Sequence, residues 1–508
     1  MNEQYSNFSE VLRQNFSMTS FRRGQLEIIG SILKKRDVLA VLPTGGGKSL
    51  CYQFPAVYLR QLVVVVSPLI ALMKDQVDSL KKIGIPAGCL YSGQSDLEKR
   101  MVFAEIEKGG LFILYLSPER VQKEGFRRWI QGRAIALFAV DEAHCVSQWG
   151  HDFREEYSQL RILKSLRPDV PVLALTASAT PTVLDDVSKN LNLSNPERMV
   201  HGFYRHNLYY QVEKCADDEA KLEWVLQALK MTPQGRILIY CGTRRVTEEL
   251  AGHLQENFQG VGFYHAGLST EDRNQIQSLY ADAELRILVA TNAFGMGIDQ
   301  PDVRLVIHFQ MPGNIDSLYQ EMGRAGRDGA PSTCLMLYSK KDKGLQSYFI
   351  DSSEAPKAIK NLRWRNLEAL VSYSEGSECR HAEVLTYYKD SQRIGRCGHC
   401  DNCDIQSPRR VQKLSKPARV TIKKSKTKST DSLILDQEQQ SRFEILRLWR
   451  KQKSIEFDVP AFVIFSDQTL RLLAIMNPQT LQALEGVHGI GQSKLEKFGW
   501  DILAELQE

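Results

Sequence analysis

Leu42–Leu50 reads "LPTGGGKSL" and Asp141–Tyr157 reads "DEAHCVSQWGHDFREEY". In the first stretch Gly45, Gly46 and Gly47 let backbone N–H groups converge on an anion, with the Thr44 hydroxyl beside them. Lys48 stands where an ammonium reaches β- and γ-phosphates, and Ser49 where a hydroxyl holds Mg²⁺. The strict phosphate-loop pattern wants Gly six residues before the Lys. Leu42 stands there instead, so a Gly-rich turn without nucleotide is the alternative for this stretch alone. In the second stretch Asp141 closes the apolar run "ALFAV", where a carboxylate can hold Mg²⁺ directly or through water. Glu142 beside it can position or deprotonate an attacking water. A lone Asp-Glu pair is ordinarily a solvated loop; the apolar run and the upstream Gly-rich loop argue otherwise. Trp149, Phe153 and Arg154 follow at once, and base–aromatic stacking is worth roughly 1–3 kcal/mol per base. The rings could instead be core, but Gly150, His151, Asp152 and Arg154 around them predict an exposed loop.

Four thiols form a third constellation: Cys379, then Cys397, Cys400 and Cys403 in "CGHCDNC". Four thiolates within 25 residues suit a closed, tetrahedral structural Zn²⁺. An iron–sulfur cluster competes, because C-x2-C-x2-C also opens ferredoxin-type runs. Those continue to a fourth Cys after three intervening residues, whereas Ser407 stands at that position here and the fourth Cys lies upstream. His381 and His399 are possible substitutes. The other six cysteines are scattered and read as small core residues.

These groups need strand ends to hold them. "DVLAVLP", "LVVVVSP", "LFILYLSP", "ALFAVDEAH" and "VLALTASAT" are short apolar runs with little alternation, separated by helical stretches. That pattern suits strands buried on both faces of a parallel sheet, whose carboxyl ends line a ligand crevice. "RILIYCG", "VGFYHAG", "RILVATNAFGMG", "LVIHFQMP" and "STCLMLYS" repeat it as a second α/β lobe. We expect lobe 1 over 1–205, lobe 2 over 206–340, a helical thiol-bearing module over 341–407, a tether over 408–440 and a small helical domain over 441–508.

The chain has 508 residues, too many for one core. Its net charge of +5 is unevenly placed. Residues 405–430 carry Arg409, Arg410, Lys413, Lys416, Arg419, Lys423, Lys424, Lys426 and Lys428 and no acid, so the rest of the chain is net negative. This Lys/Ser/Thr-rich stretch reads as a flexible, phosphate-attracting tether. No apolar run reaches the roughly 18–20 residues of a membrane span. "MNEQYSNFSE" is no secretory signal, so a cytoplasmic, DNA-associated protein is expected.

"DEAH", "TASAT", "QEMGRAGRDG" and "FRRGQ" together resemble a superfamily 2 helicase. "FRRGQ", "CVSQWGHDFR" and the thiol cluster make the chain similar to the RecQ family of DNA helicases over roughly 10–404, with an HRDC-like domain at 441–508. The resemblance implies two RecA-like lobes that close on ATP and Mg²⁺, with a structural Zn²⁺. It implies that Phe21, Arg22 and Gln25 read adenine, with Met18 where the family usually stacks an aromatic. It implies that Gln320, Arg324 and Arg327 reach the γ-phosphate from lobe 2, and that His144 relays between the carboxylates and the rings. Ser178 and Thr180 would link hydrolysis to lobe movement. Ser67, Ser117, Arg120, Thr243, His265 and Thr291 would grip DNA phosphates. The implied activity is ATP-dependent 3′→5′ unwinding by a monomer acting on single-stranded and forked DNA. The family's winged-helix domain has no room between Asp404 and residue 441. A translocase that remodels or anneals DNA is therefore one alternative, and a zinc-containing DNA-binding protein with a vestigial ATPase another.

Overall fold

The computed structural model describes residues 2–43, 45–147, 149–150, 153–295, 300–413, 435–459 and 461–506. Thr44, His151 and Asp152 lie outside these residues, as do six of the nine tether cations: Lys416, Arg419, Lys423, Lys424, Lys426 and Lys428.

Lobe 1 is built on β1 (Val38–Val41), β2 (Leu62–Val66), β3 (Ala87–Leu90), β4 (Phe112–Leu116), β5 (Ile135–Val140), β6 (Val172–Thr176) and β7 (Glu197–Val200). They form one parallel sheet in the order β3-β4-β2-β5-β6-β1-β7. The Val/Ile/Leu runs are buried on both faces, as helices on either side require. Lobe 2 carries β8 (Leu208–Lys214), β9 (Arg236–Tyr240), β10 (Val261–Tyr264), β11 (Ile287–Ala290), β12 (Val303–His308) and β13 (Ser332–Tyr338). Its parallel order is β10-β11-β9-β12-β13-β8. Strand order places β6 between β1 and β5, so the Gly-rich loop, the "TASAT" turn and Asp141 emerge side by side.

Helices Lys340–Ser352, Lys357–Glu375 and Arg380–Tyr387 form the module that ends in the thiol cluster. Among the described residues five further helices follow, from Gln437–Glu456 to Gln492–Glu505. They close on their own core of Phe443, Leu446, Trp449, Phe465, Leu473 and Ile502. This C-terminal unit packs on helix Lys357–Glu375. Arg450, fully buried, donates to Asp467 Oδ1 at 2.7 Å and stands 3.6 Å from Glu378 of the module. Arg447 also reaches Glu378, at 3.2 Å, and Ser377 donates to Asp467.

The expectation of a tether beginning at 408 needs correction. Gln211 in β8 exchanges two hydrogen bonds with the Val411 backbone, whose side chain is buried in the lobe 2 core. Arg410 pairs with Glu213, Lys413 with Glu223, and the Arg409 guanidinium lies over the Tyr209 ring. Upstream, Asp401 N donates to Tyr210 O and Asp401 accepts from Val212 N. Residues 400–413 thus cover the open edge of β8, satisfying main-chain groups that would otherwise invite another strand. No helix among the described residues is long and apolar enough to cross a membrane.

Candidate active site

The Gly-rich loop turns with Gly45 and Gly47 at φ of 79° and 75°, which only glycine adopts without strain. A Cβ at Gly46 would stand 2.9 Å from Pro43 O, so the cradle is already as tight as it can be. Lys48 follows, and Ser49 stands at the start of helix Leu50–Leu59 with its hydroxyl making no capping hydrogen bond. Asp141 is buried at the end of β5, its amide donating to Val66 O. Burial first, and then the Glu142 charge, push the Asp141 carboxyl above the usual range, while Lys48 opposes them. A buried Asp141 carboxylate with the half-buried Glu142 beside it and Lys48 opposing is a fit donor set for a hard divalent cation. Glu142 is held in the left-handed region at φ 48°, a conformation costing of order 1–3 kcal/mol for a side-chain-bearing residue. It lies 3.3 Å from His144 Nδ1, which also meets Thr176 Oγ1 at 2.9 Å.

Lobe 2 reaches this site. Asn314 caps helix Ile315–Met322 by accepting from Ser317 N, and the helix delivers Gln320, whose Nε2 donates to Ser178 Oγ at 3.0 Å. A Cβ on Gly45 would touch Arg327 Cγ at 3.4 Å, so the Arg327 stem lies against the Gly-rich loop. Arg324, buried, follows the same helix. Arg327 and Gln320 are therefore brought against residues far earlier in the chain, in a closed arrangement of the two lobes.

The expected adenine readers behave differently from one another. Gln25 is buried and donates to Gly47 O at 2.9 Å, while accepting from Arg22 N at 2.7 Å. Arg22 donates to Gly45 O. Both amide and guanidinium thus brace the Gly-rich loop itself. Phe21 packs edge-on against Phe54, 5.2 Å between centroids, and Met18 is 44% exposed.

Trp149 and Phe153 are 40% and 38% exposed, which excludes core packing for either ring. Arg154 Nη1 donates to Pro68 O at 3.3 Å. The Trp149 amide donates to Ser147 Oγ, and that hydroxyl donates to Asp186. Gly150 packs so closely on His144 O that a Cβ would lie 2.5 Å away. The rings face a cleft of about 680 Å³ whose other walls carry Asn292, Asn314, Phe349 and Arg363. Those four were not read from the sequence; only the adjacent rings in "SYF" (Ser347–Phe349) hinted at a surface with a use.

Of the expected phosphate contacts, the Ser67 and Ser117 hydroxyls at strand ends and Arg120 Nε in the short helix after β4 are buried without a hydrogen-bond partner. Polar groups in that condition fit an anion. Thr243 instead caps helix Arg244–Gln255 by accepting from Val246 N. His265 is committed to Glu248 at 2.7 Å and Gly267 N at 3.1 Å, and Thr291 is buried, accepting from Ala293 N.

The four cysteine sulfurs lie within 4.8 Å of one another. Hydrogen bonds from the Cys397 and Cys400 thiols hold Cys379 far below the usual thiol range, and the same sharing raises Cys397. Such a cluster fits a tetrahedral thiolate-bound cation. His381 is kept neutral by burial, its pKa lowered to about 3, and its Nε2–H donates to Leu208 O at 3.1 Å. Its ring stacks on Tyr210 at 4.0 Å. His381, His399 and Cys397 also bring ligand atoms within 4.8 Å of one another, but the four thiols alone make a complete tetrahedral set.

Comparison with known proteins follows the same division of the chain. Family models match as DEAD/DEAH box helicase over residues 22–187, Helicase conserved C-terminal domain over 220–329, RecQ zinc-binding over 340–404 and HRDC domain over 439–506. The chain is 33% identical to an ATP-dependent DNA helicase RecQ of Bacillus subtilis across 98% of each. It is 42% identical to the probable ATP-dependent DNA helicase RecS of the same organism, across 75% of this chain and 76% of that one. Among solved structures, Saccharomyces cerevisiae Dbp5 bound to RNA and ADP BeF3 superimposes with a TM-score of 0.53 at 17% identity, covering 72% of this chain and 99% of that one. At that identity the likeness is one of fold.

Proposed function

The chain belongs to the RecQ family of ATP-dependent DNA helicases, and on that footing we propose that it moves 3′→5′ along single-stranded DNA and unwinds forked duplex in recombination, repair and replication. The observation that carries the reading is the meeting of Gln320 and Arg327 from lobe 2 with Ser178 and the Gly-rich loop of lobe 1. Such a site is complete only when the lobes close, which ties nucleotide state to lobe position.

Lys48 and the loop amides bind the ATP phosphates, with Ser49 and Asp141 as the residues that would hold Mg²⁺. When bound, that ion neutralises phosphate charge during transfer. Glu142 orients the attacking water and takes up its proton, and His144 restrains Glu142 from the side of the ring-bearing loop. Arg324 and Arg327 supply guanidinium charge to the γ-phosphate. Trp149, Phe153 and Arg154 engage unpaired bases, and Ser67, Ser117 and Arg120 engage phosphates. Cys379, Cys397, Cys400 and Cys403 would hold one structural Zn²⁺, leaving no open coordination position for chemistry. We further propose a monomer associated with DNA.

Lys48→Ala and Glu142→Gln should each abolish DNA-stimulated ATP hydrolysis and leave DNA binding intact. Hydrolysis at the parental rate in either would refute the site. Forked, 3′-tailed, 5′-tailed and blunt substrates assayed together decide polarity. A second reading, a remodelling or annealing translocase with weak unwinding, is supported by residues 414–434. Twenty-one residues between fixed neighbours are far below the roughly 40 that a self-supporting domain needs. Efficient opening of a blunt-ended fork would eliminate that reading.

A further inference from the structure

Helix Ile315–Met322, which leads into Arg324 and Arg327, is gripped at its first turn by the thiol-bearing module. Asp316 is buried there. Its Oδ2 accepts from the Tyr387 hydroxyl at 3.1 Å and its Oδ1 from the Tyr388 hydroxyl at 3.0 Å. Both phenols stand at the end of helix Arg380–Tyr387, whose N-cap is Cys379 of the thiol cluster. Burial, reinforced by the Asp316 charge, raises both phenol pKa values, so the protons stay on oxygen and the hydroxyls stay donors.

Around this pair the three parts of the enzyme meet. The Tyr388 ring stacks on Phe203 at 4.1 Å, and Phe203 lies in the segment joining β7 to β8. Tyr319, one residue before Gln320, donates to Phe203 O at 3.3 Å and packs on both rings. Asp390, just beyond the phenols, accepts from Phe203 N at 2.8 Å. On the other side the same helix touches lobe 1 through Gln320 and Ser178. His144, Ser178, Thr180, Asp316, Asn366 and Tyr387 border one cavity of about 230 Å³, so lobe 1, lobe 2 and the module share a single space.

A carboxylate with a strong donor on each oxygen is fixed in orientation, and one turn separates Asp316 from Gln320. We propose that Asp316, Tyr387 and Tyr388 are positioning residues for ATP hydrolysis: they anchor the arginine-bearing helix of lobe 2 to the thiol-bearing module, so that Gln320, Arg324 and Arg327 arrive in register when the lobes close. The inference rests on the assignment of those three residues to the γ-phosphate.

The test is a full-length Tyr387→Phe/Tyr388→Phe variant, which keeps both rings and removes both donors. With saturating single-stranded DNA, kcat should fall between ~10- and ~100-fold, the range by which a misplacement of about 1 Å slows an enzyme. KM for ATP, affinity for a fluorescent ATP analogue, affinity for single-stranded DNA and bound zinc should stay at parental values. Asp316→Asn keeps one acceptor oxygen and its volume, and should fall between parent and double variant. Parental kcat in a folded, zinc-loaded double variant overturns the proposal. So does a kcat loss matched by equal losses of analogue and DNA binding, which would make the network a support of the fold alone. Lys48→Ala measured alongside separates the two readings. Parental hydrolysis there refutes the nucleotide site itself. An inactive Lys48→Ala beside a parental double variant refutes only the positioning.

Discussion

Arg447 and Arg450 lie one turn apart on helix Gln437–Glu456 and both approach Glu378, yet their replacement by Met should differ by several kcal/mol. Arg447 is one-third exposed, and its pair with Glu378 is in contact with water. Pairs of that kind contribute ~0–1 kcal/mol. Arg450 is 1% exposed and donates to Phe465 O at 2.9 Å and to Asp467 Oδ1 at 2.7 Å. Arg450→Met keeps the stem but strands the Asp467 carboxylate, itself 6% exposed, beside the Ser377 hydroxyl. Removing one partner of a buried pair costs ~3–5 kcal/mol. At ~0.05–0.15 kcal/mol per residue, a helical unit of this size holds only about 4–11 kcal/mol in total. Arg450→Met should therefore open the C-terminal unit while both lobes stay folded. Hydrogen exchange on the full chain reads this directly. Amides of residues 443–503 should exchange about 10²- to 10³-fold faster or more, at tenfold per ~1.4 kcal/mol, with those in β1–β13 unchanged. Arg447→Met should change them less than about fivefold. Adding Asp467→Asn to Arg450→Met should recover part of the loss, because the cost is a stranded charge. Equal exchange in the two arginine variants would refute the argument.

Three further outcomes follow from the proposed roles. Trp149→Ala or Arg154→Ala should lower DNA-stimulated ATP hydrolysis more than DNA-free hydrolysis; equal losses would assign these residues to the fold. Purified protein should hold about one zinc per chain, as four thiolates dictate, and lack a visible iron–sulfur band; stoichiometric iron in a brown sample would reverse the assignment. Neutralising Lys423, Lys424, Lys426 and Lys428 should weaken DNA affinity and flatten its log–log salt dependence by up to about 0.9 per lost contact on duplex, with DNA-free hydrolysis unchanged. Loss of affinity on deleting 441–508 instead, with the salt slope of the Lys variant untouched, would place the anchor in the C-terminal unit.

The central strands were legible because burial on both faces demands unbroken apolar runs, as in "LVVVV" of β2 and "FILYL" of β4. Edge strands escape that demand. β3 is "AGCL" and β7 is "ERMV", each too short or too polar to announce itself, and β8 turns polar toward its end as "LYYQVEK". Site residue types were legible for a similar reason: phosphate cradles and thiolate cages admit few chemistries at fixed spacing. Side-chain direction was not. Gln25 carries an amide suited to a base edge, and its contact with the Gly-rich loop is set by how helix Gln25–Leu33 docks, which no sequence pattern records. Docked charge was equally hidden. Arg409, Arg410 and Lys413 looked like tether cations because composition records their sign and not the Tyr209, Glu213 and Glu223 that receive them.

The rings follow the carboxylates because one short loop walls two spaces. Trp149 and Gly150 border both the 680 Å³ cleft that faces Phe349 and Arg363 and the 230 Å³ cavity that holds His144 and Ser178. Leu362 and Asn366 of helix Lys357–Glu375 border both as well. Gly150 rests directly on the His144 carbonyl, with no room for a methyl group between them. Close-packed interiors transmit displacement instead of absorbing it. If the rings engage bases as proposed, a base that shifts Trp149 in the larger cleft would press on His144, and through its 3.3 Å contact on Glu142. On the same proposal the reverse path would run from the nucleotide through Glu142 to the rings. Glu142 is already strained at φ 48°, so a small push at His144 has a conformation to release. On this reading, coupling between DNA and ATP needs no long relay: the two spaces share Trp149 and Gly150 as a common wall, and the thiol-bearing module supplies its far side.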